Sequence, residues 1–260
     1  MFRKFILHFT KNSFCKIFNI KSFLLKRKVR LSYQEKKKFY FAEELSKKIS
    51  FYHRKQGLYS YSNGIIKRIN TIKNDYLLKK ISFKNKDCII DVGANVGDFY
   101  QYFKYINCKI DYFAFEPSKE EYRCLKINTE GHLYNIGLWK CKDTLSFFSA
   151  SETADSSFIK PLGYDKIIKL NVNRLDNIIK NRKIKLLKLE AEGAEIEVLK
   201  GSLRLLKKIE YITADLGYER GEKNQSTLIP VTNYLLKRNF EIIDFNPNRV
   251  VVLFRNTELK

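Results

Sequence analysis

Two glycines four residues apart, Gly93 and Gly97, stand in the run Asp91-Val92-Gly93-Ala94-Asn95-Val96-Gly97-Asp98, directly after the apolar Cys88-Ile89-Ile90. A strand ending in such a turn lets backbone come close to a ligand, because glycine has no side chain and tolerates positive φ. Phe99 to Phe103 continues as the start of a helix, whose unpaired N–H groups and partial positive charge point at the same place. Open α/β sheets hold nucleotide-like ligands there, at the carboxyl ends of their strands. Dinucleotide turns read G-x-G-x-x-G around a pyrophosphate. Asn95 takes the place of the middle glycine here, which weakens that reading. About 20 residues on, Tyr112-Phe113-Ala114-Phe115 ends in Glu116-Pro117, where an acid suits a ribose whose two hydroxyls donate to one carboxylate.

The turn followed by Ala114-Phe115-Glu116-Pro117 resembles the opening of the FkbM family of methyltransferases. Asn135-Ile136-Gly137-Leu138 is similar to the family's third-strand end, and Asn173 to Asn177 to its short T-L-D-D run. Leu186 to Gly201 resembles its signature, L-L-K-I-D-V-E-G-A-E-x-x-V-L-x-G. Together these stretches cover roughly residues 85 to 220, and several motifs in register are far more specific than one. Glu190 departs from the family's Asp, and Ala214-Asp215-Leu216-Gly217 lacks the histidine often found in that stretch. The resemblance implies S-adenosylmethionine as cofactor and methyl transfer, usually to a hydroxyl. On the cofactor side it implies that Gly93 and Gly97 shape the turn and that Asn95 bonds the methionine end. Asp91 braces the loop or accepts from the ammonium, Glu116 holds the ribose, and Asn135 and Gly137 lie by the adenine.

Methyl transfer to an alcohol gains most from positioning two bound partners, worth ~7–11 kcal/mol, and from a general base, worth ~10²- to 10⁴-fold. Glu190, Glu192 and Asp215 are the acids at the ends of the fourth and fifth strands, so they are the candidate catalytic groups. Crowding among Glu190, Glu192, Glu195 and Glu197 would raise at least one carboxyl pKa toward neutrality. Glu195 and Glu197 read instead as acids of a helix's first turn. No metal site is expected: the cysteines at 15, 88, 108, 124 and 141 lack C-x-x-C spacing, and the histidines are far apart.

The elements that would carry these groups alternate. Strands are expected at 87–91, 111–115, 132–136, 185–189 and 210–214, with helices near 98–105, 118–127, 194–207 and 226–238. Final strands follow at 240–245 and 249–254, and Leu145 to Ala150 reads as an added strand. This alternation fits an α/β fold, a doubly wound, mostly parallel sheet with a terminal hairpin, and the resemblance implies the seven-stranded, Rossmann-like class I methyltransferase architecture. Three parts are expected: a basic amphipathic segment at 1–34, a helical region at 35–80 and a methyltransferase domain at 81–260. The polar run Ser151 to Ser157 has the composition of a mobile substrate-side loop.

Lys and Arg number 50 against 28 Asp and Glu, for a net charge of +22 and a pI near 9.7. That charge favours anionic partners, although a bias toward Lys, Ile, Asn, Phe and Tyr also follows from AT-rich coding. Through Gln34 the chain has no acid, and Phe2, Phe5, Ile6, Phe9, Phe14, Ile17 and Phe18 recur at helical spacing. No run approaches the ~20 apolar residues that span a bilayer. The segment reads either as an amphipathic helix on an anionic membrane through residues 1–30 or as a helix packed on the domain. The expected enzyme acts in the cytoplasm, peripheral on the inner membrane face if the segment binds lipid, on a sugar hydroxyl of a cell-surface glycan or its lipid-linked precursor. The alternatives are an RNA methyltransferase, suggested by charge alone without an RNA-binding module, and a non-catalytic surface-binding protein that keeps the fold.

Overall fold

The computed structural model describes residues 6–150 and 155–259. Among these, seven strands form the main sheet, in the order β12-β13-β11-β10-β4-β5-β6. They are β4 (Cys88–Val92), β5 (Asp111–Phe115), β6 (His132–Tyr134), β10 (Ile184–Leu189), β11 (Ile209–Asp215), β12 (Phe240–Asn246) and β13 (Val251–Asn256). Strands β6, β5, β4, β10 and β11 run parallel, whereas β13 lies antiparallel to both β11 and β12. The parallel strands are apolar runs, as strands buried on both faces must be, and apolar clusters cover the sheet on its two sides. The chain leaves β4 toward β5 and β6, then returns to place β10 on its other flank. The crevice at the carboxyl ends of β4 and β10 is thus the point where strand order reverses, the standard ligand position in open sheets.

The alternating segments fall close to where periodicity puts them, with two exceptions in this half. The strand expected at 132–136 splits: β6 stops at Tyr134, and β7 (Gly137–Leu138) joins a separate sheet of order β7-β9-β8. In that sheet β8 (Asp143–Ser149) carries the expected extra strand, and its antiparallel partner β9 (Lys166–Asn173) has no counterpart in the sequence reading. The helix expected at 194–207 is broken into Glu195–Lys200 and Leu203–Leu206. A Cβ on Gly201 would come within 2.1 Å of the Trp139 carbonyl oxygen, so the chain turns where a backbone presses on it.

The larger correction lies before the sheet. Residues 35–80 are not uniformly helical: β1 (Arg30–Gln34), β2 (Phe39–Glu44) and β3 (Lys47–Phe51) form an antiparallel meander. The charges that suggested helical pairs serve strands instead, with Glu43 opposite Lys48 across β2 and β3. Helices α2 (Arg54–Tyr61) and α3 (Ile65–Asp75) follow. Helix α1 (Lys11–Leu24) turns Phe14, Cys15 and Phe18 inward, and Phe14 meets the Tyr40 ring edge-on at 5.5 Å. Three residues of the expected membrane stripe, Ile6, Phe14 and Phe18, are therefore core residues, while Phe2 and Phe5 lie outside the described residues. Asn128 ties this unit to the sheet: it accepts from the Ser50 N–H at 2.8 Å and donates to the carbonyls of Ser50 and Val96 at 2.8 and 2.6 Å.

Candidate active site

A cleft opens at the strand-order reversal. The glycine turn forms its floor through Gly93, Ala94 and Asn95, and Glu116, Pro117, Ser118 and Gly137 form one side. Gln56, Ser60, Arg68 and Tyr76 close a second side from α2, α3 and the residue after α3. Phe147, Asp155, Ser156, Phe158 and Glu192 form the side remote from the turn. Of the expected mobile loop, residues 151–154 lie outside the described residues, while Asp155 and Ser156 reach the cleft.

The glycines serve the protein's own backbone as well as any ligand. Gly93 has φ +71°, and a Cβ there would come within 1.9 Å of the Glu190 carbonyl oxygen. Gly97, at φ +91°, caps the helix Asp98–Tyr105, and its Cβ would meet the Thr129 methyl at 2.3 Å. Asn95 takes a left-handed φ of 50°, a conformation asparagine tolerates better than most residues. Its N–H donates to Glu116 Oε2 at 2.8 Å, and its side-chain oxygen accepts from Gln56 Nε2 at 2.6 Å.

Glu116 is buried at the end of β5 and accepts a second backbone bond, from the Ser118 N–H at 2.8 Å. Two of roughly four lone-pair directions on the carboxylate are thus used, which leaves acceptor capacity for a vicinal diol. Burial, with the nearby Glu121 charge, pushes its pKa up to about 8 against those two bonds. Gln56 brings another unused acceptor: its Oε1 is buried without a hydrogen-bond partner beside Asn95. Buried acceptors in a polar cleft are rarely left so unless something else fills the place. Both features fit a ligand with a ribose at one end and an ammonium at the other.

Asp91 lies beneath the turn, fully buried, and is not part of the cleft wall. It accepts from the Tyr112 hydroxyl and sits 3.1 Å from Lys188 Nζ. Lys188 is the residue that the sequence reading passed over. Its ammonium donates to the Gly93 carbonyl at 2.7 Å, and it pairs with Glu190 Oε2 at 2.9 Å. A lysine flanked by leucines in a buried parallel strand is the signal, since such a charge stays buried only when paired. Asn135 also sits off the cleft wall, donating to the carbonyls of Glu116 and Pro117 at 2.8 and 3.0 Å. It shapes the loop that presents Glu116, while its neighbours Ile136 and Gly137 line the cleft.

Glu190 lines the cleft but is held on three sides. The Tyr76 hydroxyl donates to it at 2.6 Å, Arg249 at 3.0 Å, and Lys188 stands beside it. Burial would raise its pKa, yet Lys188 and Arg249 outweigh burial and hold the carboxyl at about 2. Asp215 is buried off the cleft wall and pairs with Arg249. Burial and the Glu190 charge raise its pKa, with Arg249 opposing them.

Glu192 differs from both. It belongs to no helix, sits at φ 49°, and faces the cleft. Glu195 accepts from the N–H groups of Ala191 and Gly193 at 2.9 and 3.1 Å, and Ser157 donates to the Glu192 carbonyl at 2.7 Å. Arg220 completes the clamp through the Gly193 carbonyl and a two-pronged pair with Glu197 at 2.9 Å each. Glu195 and Glu197 are thus loop and helix supports. Burial, then Glu219, Glu190 and Asp155, raise the Glu192 pKa well above the ordinary carboxylate value. Burial and Asp215 likewise push Glu219 up to about 8. Among the described residues no cation pairs with Glu192, and no group of acids, cysteines and histidines is arranged to hold a metal.

The parallel core, reversed last strand and cleft at the β4/β10 junction define a Rossmann-like class I methyltransferase. The FkbM methyltransferase domain matches residues 91–242, more than half the chain, and the protein belongs to that family. Membership makes it an S-adenosylmethionine-dependent methyltransferase. No curated protein matches the chain in sequence. Among solved structures, the N-terminal domain of human METTL16 in complex with SAH is similar at TM-score 0.41 and 14% identity, over 74% of this chain and 70% of that one. The plantazolicin methyltransferase BpumL in complex with SAH is similar at 0.41 and 12%, over 74% and 84%. A SAM-dependent methyltransferase from Aquifex aeolicus is similar at 0.41 and 14%, over 73% and 94%.

Proposed function

We propose that the protein transfers a methyl group to a hydroxyl of a carbohydrate acceptor, a cell-surface glycan or its lipid-linked precursor, with Glu192 as general base. The observation that carries this reading is the Glu192 carboxyl: it lines the cleft, has a raised pKa and, among the described residues, has no cation paired with it. An alcohol gives up its proton only as its oxygen bonds to carbon, so a base with elevated proton affinity is the useful partner. Glu190 is unsuited to that task because Lys188 and Arg249 stabilise its anion. Asp215 is unsuited because it is off the cleft wall and tied to Arg249.

S-adenosylmethionine supplies an electrophilic methyl group when bound. Glu116 would accept from both ribose hydroxyls, and Gln56 Oε1 with Asn95 would receive the ammonium of the amino-acid end. Lys188 lines the cleft and holds the Gly93 carbonyl, and so the turn, in place. Ile136 and Gly137 would flank the adenine. At the remote side, the half-buried Phe158, backed by Phe147, would meet the C–H surface of a sugar while Glu192 and Asp155 would accept from its hydroxyls.

The same acids speak against RNA despite the net charge of +22. A phosphate backbone would add a further negative charge beside Glu192, Asp155 and Glu219, holding Glu192 protonated and so unfit as a base. The test is transfer of a labelled methyl group from the cofactor to separated fractions of surface glycan, lipid-linked saccharide and RNA. Label in a saccharide fraction, stable to mild base as an ether is, supports the reading. Label confined to RNA, or as a base-labile ester, overturns it.

A further inference from the structure

We infer that the outer face of α1 and the segment after it dock the protein on an anionic lipid surface. The helix has two apolar faces, and the fold covers only one. Phe14, Cys15, Phe18 and Ser22 are buried against the meander. Ile20, Phe23 and Leu24 project from the opposite side at i, i+3 and i+4, with 62, 70 and 72% of their surface exposed. Leu25, just past the helix, is 48% exposed. Single exposed leucines need no explanation, but a contiguous group of large apolar side chains marks an interaction site.

The rim says what the partner is. Lys16, Lys26 and Lys28 are exposed around this group, and no acid precedes Glu35 in the chain. The register that pairs Arg30 with Glu43 brings the β2–β3 turn to the same end of the meander, where Leu45 is 70% exposed. Nearby acids are engaged: Glu43 pairs with Lys48, and Glu44 accepts from the Ile66 N–H. An apolar face bordered by cations matches the boundary between acyl chains and anionic headgroups. A second copy of the chain fits worse, since a two-fold contact would set the same lysines against one another. This surface differs from the stripe that the sequence suggested, whose Phe14 and Phe18 are core residues. It does not depend on the acceptor assigned above. Helices α2 and α3, packed in the same unit, carry Gln56 and Arg68 to the cleft, so surface and cleft belong to one body.

Co-sedimentation of the full chain with phosphatidylcholine vesicles, with and without phosphatidylglycerol, tests the inference. Binding is expected only to the anionic vesicles and is expected to weaken as salt rises. Replacing Phe23 and Leu24 together by Glu should lower partitioning roughly a hundredfold, since two apolar side chains no longer enter the acyl boundary. Replacing Lys16, Lys26 and Lys28 by Gln should lower it about as much at low salt. S-adenosylhomocysteine affinity, unchanged in both variants, shows that the fold is intact. Equal binding of wild type and the Phe23→Glu/Leu24→Glu variant overturns the inference, as does equal binding to neutral and anionic vesicles. A change of oligomeric state in that variant, with vesicle binding retained, assigns the face to self-association and likewise overturns it.

Discussion

On the glycine-turn side of the cleft, buried charges alternate in sign: Asp91, Lys188, Glu190, Arg249 and Asp215 form a chain of pairs. On the remote side, Glu192, Glu219 and Asp155 crowd together with a single sign. The first arrangement fixes geometry, because each ion is satisfied only while its neighbours stay in place. The second raises proton affinity, because each carboxyl is neutralised more cheaply than it is ionised. One cleft thus holds a rigid half suited to gripping a cofactor and a titrating half suited to moving a proton.

Substitutions can break that contrast. Glu192→Gln keeps shape and removes the proposed base, so kcat should fall ~10²- to 10⁴-fold while S-adenosylhomocysteine affinity changes little. A large loss of affinity, measured by calorimetry, would move Glu192 to the cofactor side. Lys188→Met leaves Asp91 and Glu190 buried with one partner fewer, and should cost about 3–5 kcal/mol in denaturant unfolding. A near-neutral result would show that the alternating chain is not what stiffens the turn. Glu116→Ala should weaken cofactor binding about 10- to 100-fold, from lost diol contacts and two orphaned N–H groups.

Titration sharpens the same contrast. Glu116, with its pKa pushed up to about 8, must shed a proton to accept from a ribose. Cofactor affinity should therefore rise with pH by at most about tenfold per unit and level off above that value. Calorimetry across buffers of different ionisation heat would detect the released proton, and a flat profile would contradict the assignment. The smallest effect is expected for Glu190→Asp, which restores the family's usual residue. The shorter side chain gives up either Tyr76 or Arg249, a loss of about 1 kcal/mol in thermal unfolding.

The rigid half was largely legible in the sequence, and the other half was not. Gly93, Gly97 and Glu116 announce themselves through local spacing at strand ends, which is the information a single sequence carries best. Arg249 could not be found so, since it reaches Glu190 across 59 residues of chain and only the final hairpin brings it there. Lys188 left a trace as a lone charge among leucines. Glu219 left none, because its meaning comes from carboxyls assembled by separate loops. The meander was missed because Glu43, Glu44, Lys47 and Lys48 satisfy helical spacing and cross-strand pairing alike, and packing against α1 decided between them. Strand β9 was legible but overlooked: Ile168, Leu170 and Val172 alternate with Lys169, Asn171 and Asn173 as the residues of a half-buried strand should.

The Asn128 clasp bears on where the chain can be cut. A fragment begun at residue 81, where the reading frame of motifs suggests an edge, would lose Ser50 from one end of that amide and Tyr61 and Arg68 from Asp98. Val96 would keep its bond to a side chain no longer anchored on its far side. Such a truncated protein should retain its sheet yet grip nucleosides poorly, because Ser50, Tyr61 and Arg68 clamp the glycine turn and its helix from outside the sheet.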